Sequence, residues 1–172
     1  LYLNFSICNG FCKSMGLEPD VDMGDLFYLL REDEEALLAK LKSGIYPLGS
    51  YQIIPPPSNP EHYMEWRKGE VRHFLEILLE KTDFEVLVLD MGCVMNGFFE
   101  VLDLCGRILI LKEHRTSKDS GIEELRELLE KFKAGLEERV EEVFLPGGQA
   151  WREDGTIQVE EFYMGEVGNC VR

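Results

Sequence analysis

The sequence predicts an α/β fold, with a mostly parallel sheet in the middle of three layers and helices on both faces. Two observations predict it. Short aliphatic runs alternate along the chain with longer segments of helical periodicity. That alternation implies right-handed crossovers, and so parallel strands covered by helices. The clearest run, Val86-Leu87-Val88-Leu89, ends in Asp90. Four consecutive aliphatic residues read as a strand buried on both faces at the centre of a parallel sheet. The central strands are expected at residues 1–5, 86–90, 108–111 and 140–145. A carboxylate at the carboxyl end of such a strand sits where open α/β sheets bind ligands. The alternative is that Asp90 only caps the turn that follows.

Taken in order, Leu1-Tyr2-Leu3-Asn4-Phe5 is a strand already under way at a first residue that is not methionine. The expectation is a single domain over residues 1–172, truncated at its N-terminus. Gly10, Gly16 and Pro19 punctuate a loop. Asp22 is placed to cap a helix carrying Leu26, Phe27, Leu29 and Leu30. A second helix over residues 34–42 turns Leu37, Leu38 and Leu41 inward. The acids Glu32-Asp33-Glu34-Glu35 at its start suit the helix dipole and read as a solvated cap. Two short strands, 45–47 and 51–54, follow, and Pro55-Pro56-Pro57 ends them because proline cannot donate to a ladder. Asn59-Pro60-Glu61 opens a short helix with Tyr63 and Trp66.

The next helix has the clearest period, with Val71, Phe74, Leu75, Leu78 and Leu79 on one face and His73 opposite. Beyond Asp90, residues 97–105 read as a helix with Phe98, Val101, Leu102 and Cys105 inward. Residues 117–133 read as a longer helix burying Ile122, Leu125, Leu128, Leu129 and Phe132. Pro146-Gly147-Gly148 ends the last strand, and a polar, turn-rich loop leads to the tail.

Composition narrows the function. A formal net charge of −15 argues against a nucleic-acid backbone or an anionic membrane as partner, since both need clustered Lys and Arg. No apolar run reaches membrane-spanning length. Five scattered cysteines suit a reducing cytosol. The pair Cys8 and Cys12 lacks the second pair or the histidine that a metal site needs. No Ser/His/Asp or Cys/His arrangement is legible.

Several segments then match one family in order and spacing. The chain resembles the ParA/MinD group of P-loop ATPases, nearest the divergent TadZ/CpaE branch of pilus-assembly localisation proteins. Leu1-Tyr2-Leu3-Asn4-Phe5 stands where the family has the strand after its phosphate loop. Gly24-Asp25-Leu26 loosely echoes a Gly-x-x-Asp-Leu segment, and Ile53-Ile54-Pro55 with Asn59-Pro60-Glu61 matches a strand ending in Pro and then Asn-Pro-Glu. The strand ending at Asp90 matches the one whose aspartate faces Mg²⁺. Leu145-Pro146 matches a late strand ending in Leu-Pro, and the tail from Gly165 to Arg172 matches a Gly-x-x-Gly-x-x-Val-Arg ending.

The resemblance implies a P-loop-type fold, ATP and Mg²⁺ as cofactors, and a cytoplasmic switch that works as a homodimer with partners in a larger assembly. It assigns Asp90 to the metal side, Asn4 and Asp90 to the reacting site, and Gly92, Cys93 and Pro146 to nucleotide contacts. His114 and Arg115 lie at the same sheet edge and are either ligand contacts or a solvated loop. Three departures stand against it. No Gly-x-x-x-x-Gly-Lys-[Ser/Thr] occurs, so the phosphate loop and its strand are expected upstream of residue 1. Asn4 replaces a usual aspartate, and an amide supplies no negative charge. Met91-Gly92-Cys93 replaces the usual residues after the acid. Weak or absent hydrolysis is therefore expected, with Asn4→Asp keeping or gaining turnover. The alternative is a non-catalytic scaffold on the same fold.

Overall fold

The computed structural model describes residues 1–6, 10–49, 51–59, 61–92, 95–112 and 120–144. The chain divides into two compact units, Leu1–Val101 and Leu102–Arg172. In the first, strands β1 (Tyr2–Asn4), β2 (Tyr46–Leu48), β3 (Tyr51–Ile54) and β4 (Val88–Asp90) form one sheet in the order β2-β3-β1-β4. β1 runs parallel to both β3 and β4. β2 and β3 form an antiparallel hairpin, which Gly49 permits by taking a φ of 60°. The second unit pairs β5 (Ile108–Lys112) with β6 (Val140–Phe144) in parallel over five residues each. The fold is thus mixed α/β with mostly parallel pairing, as the sequence predicts.

The strand expectation needs two corrections. The four predicted segments fall into two sheets, with β1 and β4 in one and β5 and β6 in the other. β4 stands at the end of its sheet, and β1 and β3 are the strands paired on both sides. The aliphatic run is also not buried on both faces, since Val86 is 61% and Val88 38% exposed. Leu87 and Leu89 alternate with them and pack on the core. The run therefore follows the period of two of a one-sided strand. Hydrophobicity marks a segment as a strand, but pairing partners are chosen by distant backbone.

The core of the first unit gathers on the face of β1 that carries Leu3 and Phe5. Trp66 lies at its centre, stacked on Phe27 at 4.2 Å and edge-on to Phe5 at 5.7 Å. Helix α1 (Phe11–Ser14) is a single turn. Helices α2 (Met23–Glu32) and α5 (Glu70–Lys81) bring Leu26, Phe27, Val71, Phe74, Leu75 and Leu78 to that core. Along α5 the buried arc includes Ile77, whereas Leu79 is 52% exposed. The arc is rotated away from the predicted stripe because packing on both neighbours, not period alone, sets its edges.

Helix starts follow the sequence closely. Asp22 caps α2 in a capping box with Asp25, and its second oxygen accepts the Ser58 N–H at 2.6 Å. Asp33 caps α3 (Glu34–Gly44), which buries Leu37 and Leu41. Asn59 accepts the Glu61 N–H at the start of α4 (Glu61–Glu65). Helix α6 (Phe98–Leu104) buries Val101 and Leu102. In α7 (Ser120–Phe132), Ile122 and Leu129 are buried, but Leu128 and Phe132, expected inward, are largely exposed. None of the helices among the described residues is long and apolar enough to cross a membrane.

Candidate functional site

The parallel register of β1 and β4 sets Asn4 directly beside Asp90, each the last residue of its strand. Side chains alternate along a strand, so Leu1, Leu3 and Phe5 share one face while Tyr2 and Asn4 share the other. In-register neighbours point the same way, which puts Asp90 with Tyr2 and Asn4. The Phe5 N–H donates to the Asp90 carbonyl at 2.8 Å and extends the pairing one step past β1. The two carboxyl ends are thereby locked together by backbone before any side chain contributes.

The polar groups at this edge form a connected set. The Tyr2 hydroxyl donates to Asp90 Oδ2 at 2.6 Å. Asn4 Nδ2 donates to the Tyr2 oxygen at 3.3 Å. Asn4 Oδ1 accepts the Ser6 N–H at 2.8 Å, the local geometry of an Asx turn. The Ser6 hydroxyl donates to Asp90 Oδ1 at 3.4 Å. Asn4 is 1% exposed, and its backbone carbonyl accepts from the Tyr63 hydroxyl at 3.2 Å. Burial, and then the Asp90 carboxylate on its hydroxyl, push Tyr2 far above the ordinary phenol range. The Tyr2 ring stacks on Phe11 with centroids 5.6 Å apart.

Gly92 approaches this cluster from the other strand end. A Cβ there would stand 2.6 Å from Ser6 Cβ and 3.1 Å from Ser6 Cα. The Ser6 side chain is the first obstacle, and its Cβ moves only with the backbone, so a larger residue at this position would push the two strand ends apart. Three of the predicted positions, Asn4, Asp90 and Gly92, thus converge around Ser6. Cys93, Pro146, His114, Arg115, Cys8 and the tail from Gly165 lie outside the described residues. Asn96 donates to the Trp66 carbonyl at 2.9 Å and so ties loop to core. Sequence reasoning missed Tyr2 and Ser6. The signal was there in the alternation, since each lies two residues from Asn4.

A magnesium ion keeps most of its waters and takes one or two carboxylates together with substrate phosphates. A half-buried acid at a strand end, with both oxygens already accepting hydroxyls, fits such an ion as an acceptor for its waters. No group of three or more His, Cys, Asp or Glu that could hold a metal alone occurs among the described residues. The cluster of Tyr2, Asn4, Ser6 and Asp90 carries no cation, so it offers phosphates nothing comparable to a lysine-bearing glycine loop.

A cavity of about 240 Å³ lies elsewhere in the first unit, lined by Phe27, Tyr28, Arg31, His62, Glu65 and Trp66 among others. His62 Nδ1 and Trp66 Nε1 are buried without a hydrogen-bond partner. Arg31 is committed to Glu70 through two bonds of 2.9 Å.

No protein-family profile matches the chain, and no curated protein matches it. A solved structure does, that of a ParA family ATPase from Chlorobium tepidum TLS. The match has a TM-score of 0.66 at 16% identity and covers 97% of this chain and 67% of that one. At that identity the likeness is one of fold.

Proposed function

We propose that this chain is the ParA/MinD-like part of a nucleotide-binding switch that binds ATP and Mg²⁺ as a homodimer, hydrolyses slowly or not at all, and helps to position a larger assembly such as a pilus or secretion system. The observation that carries it is Asp90 at the carboxyl end of β4, in register with Asn4 at the end of β1. That edge is where parallel α/β sheets bind ligands. The fold shared with a ParA family ATPase over nearly the whole chain supports the same reading. In it, Mg²⁺ would neutralise phosphate charge. Asp90 would accept hydrogen bonds from its waters, and Gly92 would let the end of β1 approach beside it. Cys93 and Pro146 remain proposed nucleotide contacts, and the setting is cytoplasmic.

Slow turnover follows from Asn4. Hydrolysis needs an oriented water and stabilised developing charge. The Asn4 amide is spent on Ser6 and Tyr2, and it carries no charge. The same observation favours a second reading, a scaffold that keeps the fold without catalysis. Nucleotide binding and phosphate release by the full-length gene product separate the two. We expect Mg-dependent binding that Asp90→Ala weakens at least tenfold. Brisk turnover, untouched by Asp90→Ala, would place the site elsewhere, whereas no binding at all would leave the scaffold.

A further inference from the structure

We propose that Tyr2 is a positioning residue of Asp90: its hydroxyl, held on Oδ2, keeps that carboxylate from ligating a divalent cation directly, so that the cation is engaged only through its waters. This rests on the reading of Asp90 as the metal-side acid.

The argument starts from who donates. Asn4 Oδ1 takes the Ser6 N–H, which orients the amide with its NH₂ towards Tyr2. Asn4 Nδ2 then donates to the Tyr2 oxygen, so the phenol proton has one place left in this set, the Asp90 carboxylate. Each bond polarises the next. A neutral donor on a carboxylate at 2.6 Å is a short, charge-assisted bond. The Ser6 hydroxyl lies on the other oxygen at 3.4 Å, a longer and weaker contact. A cation binding directly must displace one of these donors, and Tyr2 is the harder to move. Its ring is stacked on Phe11, and its backbone is paired to β3 and β4. Mg²⁺ dehydrates reluctantly in any case, so a carboxylate already holding donors favours the intact water shell.

The test uses Mn²⁺ together with ATP as the probe on the full-length gene product, with affinity from electron paramagnetic resonance titration and the number of bound waters from pulsed measurements in deuterated water. For wild type we expect binding that Asp90→Asn abolishes, with a water shell that includes no protein carboxylate. Tyr2→Phe keeps the ring and its stacking but frees Oδ2. We expect it to bind Mn²⁺ on the order of tenfold tighter, the worth of a hydrogen bond to a charged group, with one fewer bound water. A purely structural role would move neither the water count nor the affinity upward. Two results overturn the role of Tyr2 and leave the metal reading standing: wild-type Mn²⁺ already ligated by the carboxylate, or Tyr2→Phe indistinguishable from wild type while Asp90→Asn abolishes binding. The wild-type water count decides even if Tyr2→Phe does not fold. Binding that Asp90→Asn leaves unchanged, or no binding by any of the three, overturns the metal reading and this role with it.

Discussion

Asn4 shows how one residue is read differently once its neighbours are known. The resemblance to the ParA/MinD group makes it an uncharged stand-in for an acid, and restoring the acid is then expected to keep or raise turnover. In place it is a donor and an acceptor at once, buried to 1% exposure between Ser6 and Tyr2. A carboxylate there keeps the Ser6 bond but loses the donation to Tyr2, and it stands beside Asp90 in register. Asn4→Asp is therefore expected to lose about 2–4 kcal/mol of stability at neutral pH. The new carboxyl, crowded by like charge, has a raised folded pKa. Its penalty grows as pH climbs above the ordinary carboxyl value of about 4 and shrinks below it. Urea denaturation at pH 4 and pH 7 checks this; equal losses at the two would mean the second charge is not the cause.

At the scale of elements, the first unit hangs on its caps and its aromatic centre. Asp22 serves two N–H groups of α2 and the Ser58 N–H at once, while 7% exposed. Replacing it with alanine should cost about 2 kcal/mol, the upper end for a helix cap, because a loop is released as well. Thermal unfolding reads the shift. Trp66→Ala should cost roughly 3–5 kcal/mol by opening a cavity among Phe5, Phe27 and Tyr63.

The bridge from Arg31 on α2 to Glu70 on α5 gives a pH signature. Burial pushes the Glu70 carboxyl up, but the Arg31 guanidinium and the Arg67 N–H outweigh it and hold the carboxyl below its usual range. A depressed carboxyl contributes stability that is present at neutral pH and is lost as pH falls below about 4. Glu70→Gln should flatten that part of the acid-denaturation curve; an unchanged curve would show that the bridge contributes nothing.

At the scale of the molecule, charge decides the partners. The chain carries 33 acidic against 18 basic residues. Cations near β5, β6 and α7 are committed to acids, with Arg107 on Glu141 at 2.7 Å, Lys112 on Glu142 at 3.0 Å and Lys133 on Asp103. Such pairs add little stability where they are exposed, as Arg107–Glu141 is, but together they leave little positive field for phosphates. We expect no retention on duplex DNA at physiological salt; retention that raised salt abolishes would contradict this. For the 172-residue chain alone, calorimetry with Mg·ATP should show weak binding or none. A low-micromolar dissociation constant, about −8 kcal/mol, would mean that this chain holds phosphates without a glycine loop.

The sequence by itself determined the fold class, the helix starts and the polar end of one strand. Those are local properties: a cap is a residue and its next three neighbours, and a helix face is a period. It also pointed to Asp90, since an acid after an aliphatic run is visible in one dimension, and the family resemblance added Asn4 and Gly92. Only the tertiary structure decided that β1, not β4, is flanked on both sides, that β5 and β6 pair apart from them, and that Asn4 meets Asp90 through Tyr2 and Ser6. Those outcomes depend on residues distant in the chain: β1 pairs with β4 from Tyr2 to Val88, β5 with β6 from Ile108 to Val140, and the Tyr2 and Ser6 side chains reach Asp90 across 88 and 84 positions. No local pattern encodes which strand a strand will choose.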